Sequence, residues 1–156
     1  MIKNMLTQAA LCATLAVTAT IATSASAEIT VSDAYARAVP PGQMNSASFM
    51  TLNNSAAESV ALISGKSSAA KVVELHTHTN MDGVMQMRQV DKIELPAAGS
   101  VVLQPGGYHV MLIGLNQDLA AGSEIDLELN FSDGSQQQLQ VPVKNIMGHG
   151  HKHHGH

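Results

Sequence analysis

Side chains that bind soft metal ions are concentrated between Glu74 and Met111, where they form three pairs spaced two residues apart. The pairs are His76 with His78, Met85 with Met87, and His109 with Met111. Successive side chains of an extended strand point to opposite faces, so residues two apart share a face. Three short strands would therefore direct imidazoles and thioethers toward one point. Imidazole and thioether ligands without a thiolate favour copper, and Cu(I) in particular.

The strands that must position these residues are indicated by short apolar or alternating runs between clusters of Gly, Pro, Asn and Asp. The runs cover residues 29–38, 46–52, 59–64, 71–79, 84–90, 92–95, 100–103, 108–115, 123–131 and 137–143. No stretch keeps a helical apolar period beyond about two turns, and the best helical candidate, residues 116–121, would form one turn. The pattern predicts an all-β, antiparallel β-sandwich of the cupredoxin-like or immunoglobulin-like Greek-key type.

Two registers are open for the hairpin that contains the first two pairs. A two-residue turn at Asp82-Gly83 would place His78 opposite Met87, whereas a four-residue loop over residues 80–83 would place His76 opposite Met87. Both registers keep the histidines and methionines on one face. The sequence therefore predicts the shared face but leaves the choice between His76 and His78 open.

The N-terminus has the pattern of a secretory signal peptide. Lys3 precedes an apolar stretch from about residue 9 to residue 22, followed by Ala25-Ser26-Ala27. This order of basic, apolar and small residues predicts a signal peptide over residues 1–27, cleaved after Ala27. The expected product is an exported, periplasmic protein that has no membrane insertion after cleavage. It would contain no cysteine, because Cys12 lies within the signal.

The remaining residues divide into one domain over residues 28–146 and a tail over residues 147–156. The composition of the tail predicts a disordered segment with an accessory Cu(II) site. Its candidate ligands are Met147, His149, His151, His153, His154 and His156.

Charge and composition exclude several classes of function. After removal of the signal, seven Lys and Arg remain against twelve Asp and Glu, a net charge of about −5. No basic cluster lies outside the tail, so nucleic acid is not an expected partner. Glu74 and Asp82 are the only acids close in sequence to the metal-binding pairs, and neither belongs to a catalytic motif. We therefore expect a binding protein and not an enzyme.

The spacing of four of these residues resembles a known family. His76, Met87, His109 and Met111 follow the pattern H-x10-M-x21-H-x-M, which resembles that of the periplasmic copper chaperones called PCuAC. The neighbouring segments are also similar to that family over residues 28–143. They are Val73-Glu74-Leu75-His76, Asp82-Gly83-Val84-Met85-Gln86-Met87-Arg88, Pro105-Gly106-Gly107-Tyr108-His109-Val110-Met111-Leu112 and Ala36-Arg37-Ala38-Val39-Pro40-Pro41.

The resemblance implies a cupredoxin-like sandwich that binds one Cu(I) through His76, Met87, His109 and Met111. It also implies delivery of copper to the copper centre of cytochrome c oxidase, with an oxidase subunit or assembly factor as acceptor. The family often has methionine where this chain has His78, so His78 is an alternative ligand and Met85 a neighbouring candidate. The same residues would also serve a protein that buffers excess copper. We expect a monomer, with a metal-bridged dimer as the alternative.

Overall fold

A computed structural model describes residues 28–146, and the signal peptide and tail predictions lie outside the described residues. This part of the chain consists of ten β-strands, and none of it forms a helix long and apolar enough to cross a membrane. The strands are β1 (Ile29–Arg37), β2 (Asn45–Asn54), β3 (Val60–Lys66), β4 (Ala70–Met81), β5 (Val84–Gln89), β6 (Ile93–Leu95), β7 (Gly99–Leu103), β8 (His109–Leu115), β9 (Glu124–Phe131) and β10 (Gln136–Lys144).

The strands form two layers that enclose one core. The first layer has the order β5-β4-β8-β2-β1, with β7 paired to the other half of β2, and the second has the order β10-β9-β3-β6. A short parallel pairing of β1 with β10 joins them, and the other pairings are antiparallel. Across the core, β3 packs against β4, and β6 packs against β7 and β2. The predicted all-β sandwich is confirmed.

The core follows from strict alternation along the strands. On β9, Ile125, Leu127 and Leu129 are buried while the residues between them are partly exposed. Burying such a side chain contributes about 1.5–3 kcal/mol, so the alternation specifies which face of each strand turns inward. Met50, 2% exposed, also fills part of this core.

The best helical candidate, residues 116–121, does not form a helix. The segment is irregular because its backbone hydrogen bonds are made with other parts of the chain. The amide of Asn116 donates to the carbonyl of Ala69, and the carbonyl of Leu119 accepts from the amide of Val39. The Leu119 side chain is fully buried. Burial of this leucine and pairing with neighbouring segments replace the local helical bonds.

Candidate metal centre

The hairpin between β4 and β5 has the shorter of the two predicted connections. Asp82 and Gly83 have φ angles of 53° and 84°, the conformation of a two-residue type I′ turn. The Asn80 side-chain oxygen accepts a hydrogen bond of 2.8 Å from the Gly83 amide. This turn pairs His78 with Met87, so the alternative four-residue loop is wrong.

The pairing of β4 with β8 places His76 at the centre of the metal-binding pairs. His76 lies directly opposite His109 on β8. Because Met111 is two residues from His109, and Met87 two residues from the partner of His76 on β5, both methionines are diagonal neighbours of His76. His78 is directly opposite Met87 and diagonal to His109. The sheet thus brings all five side chains to one face.

A five-residue loop between β7 and β8 presents His109 at the start of its strand. The Gln104 amide donates to the Tyr108 carbonyl, and the Gly107 amide donates to the Gln104 carbonyl. The loop interrupts an otherwise continuous partner of β2, since β7 and β8 pair with successive halves of that strand. His109 Nδ1 lies 3.0 Å from the Gly107 carbonyl oxygen and donates to it. The loop therefore fixes the orientation of the imidazole.

His109 is 2% exposed, and this burial lowers the pKa of its imidazole below the ordinary value. The hydrogen bond to Gly107 opposes the shift, while the nearby His78, His76 and Arg37 add to it. Desolvation disfavours the charged imidazolium. A neutral imidazole, with one nitrogen free of a proton, is the form that binds metal ions.

Three imidazole nitrogens at this face are buried and have no hydrogen-bond partner among residues 28–146: His76 Nδ1, His78 Nδ1 and His109 Nε2. The ring centroid of His109 lies 5.8 Å from that of His76 and 5.2 Å from that of His78. Buried polar atoms are normally hydrogen-bonded, so unpartnered ones indicate a special role such as binding an ion. Free imidazole nitrogens on one sheet face, with methionines beside them, fit a site for a metal ion.

The methionines complete the donor set on the same face. Met87 is 47% exposed, Met111 is half-buried, and Met85 is 55% exposed further toward the hairpin tip. Within residues 28–146, no three or more His, Cys, Asp or Glu side chains are grouped to hold a metal by themselves. The thioethers of Met87 and Met111 are soft donors, and such donors favour ions such as Cu(I).

An open cavity of about 460 Å³ adjoins this face. His78, Met87, His109 and Met111 contribute to its lining, whereas His76 does not. His76 instead has its Nε2 atom 2.8 Å from Oε2 of Glu74. The structure thus brings all the predicted domain ligands together but gives the two β4 histidines different surroundings.

Two residues of the site were not identified from the sequence. Phe49 is buried with its ring centroid 6.2 Å from that of His109, and the Arg37 guanidinium lies 5.8 Å above the Phe49 ring. Both line the cavity. Phe49 lies beside His109 on the β2 side, whereas His76 lies on the β4 side. The one sequence signal for the contact between Phe49 and His109 is the alternation of β2, which puts Phe49 on the face away from the core.

Known proteins resemble this chain in sequence and in structure. A family model described as "Putative lipoprotein LpqE-like" matches residues 29–143. Lxx21020 of Leifsonia xyli subsp. xyli, which has the same lipoprotein designation, is 35% identical over 121 residues, covering 77% of this chain and 72% of its own length.

Two solved structures share the fold. The copper(I) form of DR1885 from Deinococcus radiodurans is 32% identical, with a TM-score of 0.62, covering 75% of this chain and 78% of that one. A copper-bound PCuAC domain from PmoF2 is 24% identical, with a TM-score of 0.64, covering 76% and 93%. The fold of this chain is that of PCuAC domains, and the chain belongs to the LpqE-like family.

Proposed function

We propose that this protein is a non-enzymatic copper carrier that binds one Cu(I) through His76, Met87, His109 and Met111. The observation that carries the proposal is the placement of buried imidazole nitrogens, unpartnered within residues 28–146, and of methionine side chains on one face of β5, β4 and β8. The likeness to the copper(I) form of DR1885 at 32% identity supports the same conclusion.

The donor set accounts for both binding and release. Thioethers are soft, neutral ligands that favour Cu(I), and imidazole accepts either oxidation state. Two of each hold Cu(I) without a net ligand charge, and residues 28–146 contain no cysteine that would retain it. Met87 is half-exposed, so an acceptor can reach the metal from the cavity side. A thiolate-rich acceptor would bind Cu(I) more strongly than this site.

His78 and Met85 are proposed as accessory ligands. His78 lies directly opposite Met87 and has an unpartnered Nδ1. Met85 lies next to Met87 on the exposed side of the same face. In the C-terminal segment, Met147 and five histidines supply an accessory Cu(II) site by composition.

Delivery is proposed to take place outside the cytoplasm, in the periplasm, after cleavage of the signal peptide. The signal-like N-terminus and the lipoprotein designation of the family support export. The proposed acceptor is a cytochrome c oxidase subunit or one of its assembly factors, a function implied by the resemblance to PCuAC chaperones.

Buffering of excess copper is a second candidate, favoured by the histidine-rich C-terminus. A deletion strain separates the two functions. Loss of oxidase activity under copper scarcity would support delivery. Copper sensitivity with normal oxidase activity would support buffering.

Competition with a coloured Cu(I) chelator tests the proposed site. The protein is used with Met147 and its five C-terminal histidines replaced by alanine, so that only the sandwich keeps its proposed ligands. We expect one Cu(I) per chain, a large loss of affinity in Met87→Ala and His109→Ala, and unchanged affinity in the exposed control Met44→Ala. Unchanged affinity in both ligand variants would refute the site.

A further inference from the structure

The two histidines that face each other across β4 and β8 are held by protein oxygens through different ring nitrogens. His76 Nε2 lies 2.8 Å from the Glu74 carboxylate, and His109 Nδ1 lies 3.0 Å from the Gly107 carbonyl. An ionised carboxylate and a carbonyl can only accept hydrogen bonds. In neutral imidazoles the proton is therefore on Nε2 of His76 and on Nδ1 of His109, which leaves the opposite nitrogens free.

We propose that Glu74 is a positioning residue that makes His76 bind Cu(I) through Nδ1, while the Gly107 carbonyl makes His109 bind through Nε2. This inference rests on the proposed function. The free nitrogens are the ones that are buried without a partner in the structure. The two nitrogens that carry no proton are therefore also the ones buried from water.

The placement of Glu74 suits this function. It lies two residues before His76 on β4, on the same face, and directly opposite Met111. The side chains of His76 and Glu74 are 14% and 28% exposed, so water competes only weakly for their hydrogen bond. A carboxylate bound to the outer nitrogen of a ligating histidine fixes its tautomer and orientation and raises its basicity. As a hard oxygen ligand, the carboxylate itself is poorly suited to Cu(I).

The same reasoning distinguishes His76 from His78. In the described part of the chain, no carboxylate or carbonyl is hydrogen-bonded to the His78 ring in the way that Glu74 is bound to His76. Nothing therefore selects one tautomer of His78. A fixed ring at His76 and an unfixed one at His78 agree with a principal ligand and an accessory one.

Two-dimensional ¹H–¹⁵N spectra of the imidazole rings test the assignment directly, since neutral tautomers give different nitrogen shifts. The full chain with its C-terminal histidines replaced is measured without metal and with one equivalent of Cu(I), which is diamagnetic. We expect the metal-free protein to show His76 protonated at Nε2 and His109 at Nδ1. On adding Cu(I), the largest shifts should occur at His76 Nδ1 and His109 Nε2.

Substitutions of Glu74 test its positioning effect. Glu74→Ala should give a mixture of His76 tautomers and weaken Cu(I) binding about 10- to 100-fold, the range for outer partners of metal ligands. Glu74→Gln keeps an accepting oxygen, so it should retain the tautomer and most of the affinity. Glu124→Ala removes an exposed glutamate from β9, in the other sheet, and should change neither.

The outcomes separate this inference from the function on which it rests. An unchanged His76 tautomer and affinity in Glu74→Ala would overturn the positioning effect while Cu(I) binding stands. The opposite tautomer in the unsubstituted protein would also overturn it. If Cu(I) shifts neither ring in any variant, the proposed copper function fails, and the inference fails with it.

Discussion

Replacing His109 by leucine should stabilise the metal-free fold but remove a proposed copper ligand. The imidazole is buried, and its Nε2 atom has no partner in the described part of the chain, which costs about 1–3 kcal/mol. Leucine removes this cost but loses the hydrogen bond to Gly107, which contributes about 0.5–1.5 kcal/mol. Gly107 is partly exposed, so water can bind its carbonyl instead. We expect His109→Leu to raise the free energy of unfolding of the metal-free protein by about 1 kcal/mol.

With Cu(I) bound, the unsubstituted protein should become more stable than His109→Leu. At a free Cu(I) concentration of about 100 times Kd, the unsubstituted protein gains about 2.7 kcal/mol from binding, whereas His109→Leu gains little. A change of 1 kcal/mol corresponds to about 4 °C in Tm for a domain of this size. Thermal unfolding followed by circular dichroism, under anaerobic conditions with and without buffered Cu(I), measures both effects.

Gln89→Leu is the matched control for this experiment. Gln89 lies opposite His76 on the same sheet face and is exposed, so the substitution adds a leucine without removing a ligand. Its stability should change by no more than about 0.5 kcal/mol, and its copper response should remain. The reasoning is refuted if His109→Leu destabilises the metal-free protein by more than about 2 kcal/mol, or if Cu(I) still stabilises it as in the control.

Three further predictions concern the fold that positions the site. Gly83→Ala should lower the free energy of unfolding by about 1 kcal/mol, because φ is 84° in the hairpin turn, and denaturant titration measures the loss. Met50→Ala should cost about 2–5 kcal/mol by leaving a core cavity, whereas the exposed Met44→Ala should cost less than about 0.5 kcal/mol in the same assay. Hydrogen bonds from the Ser68 hydroxyl and amide lower the pKa of Asp126. The pKa is lower in the folded than in the unfolded state, so this contact stabilises the fold above the unfolded pKa and is lost as pH falls through the folded value. Ser68→Ala should therefore lower the free energy of unfolding near neutral pH. It should also make that free energy fall less steeply as the pH is lowered. Denaturant unfolding measured between about pH 7 and pH 3 checks both effects.

The strand pattern could be predicted from the sequence because alternation and turn residues act locally. All ten predicted runs correspond to strands, with ends that differ by one or a few residues. Residues 116–121, the best helical candidate, form no helix because Leu119 is buried in the core and its carbonyl bonds a residue distant in sequence. No local sequence pattern shows whether a short segment forms its backbone hydrogen bonds internally or with other segments.

The shared face of the metal-binding pairs could also be predicted, since residues two apart in a strand keep the same parity. The register could not, because it depends on whether Asp82 and Gly83 both adopt positive φ. Hydrogen bonds to the outer nitrogens of His76 and His109 were likewise beyond sequence reasoning. Parity places Glu74 on the face of His76, but whether the two side chains bond depends on rotamers, and the partner of His109 is a loop carbonyl.

X-ray absorption of the Cu(I)-loaded protein, with Met147 and its C-terminal histidines replaced by alanine, tests the central claim most directly. The proposed site of His76, Met87, His109 and Met111 predicts two sulfur and two nitrogen neighbours. Removal of one thioether by Met87→Ala should reduce the sulfur count by one. A copper ion with only nitrogen neighbours would contradict the claim.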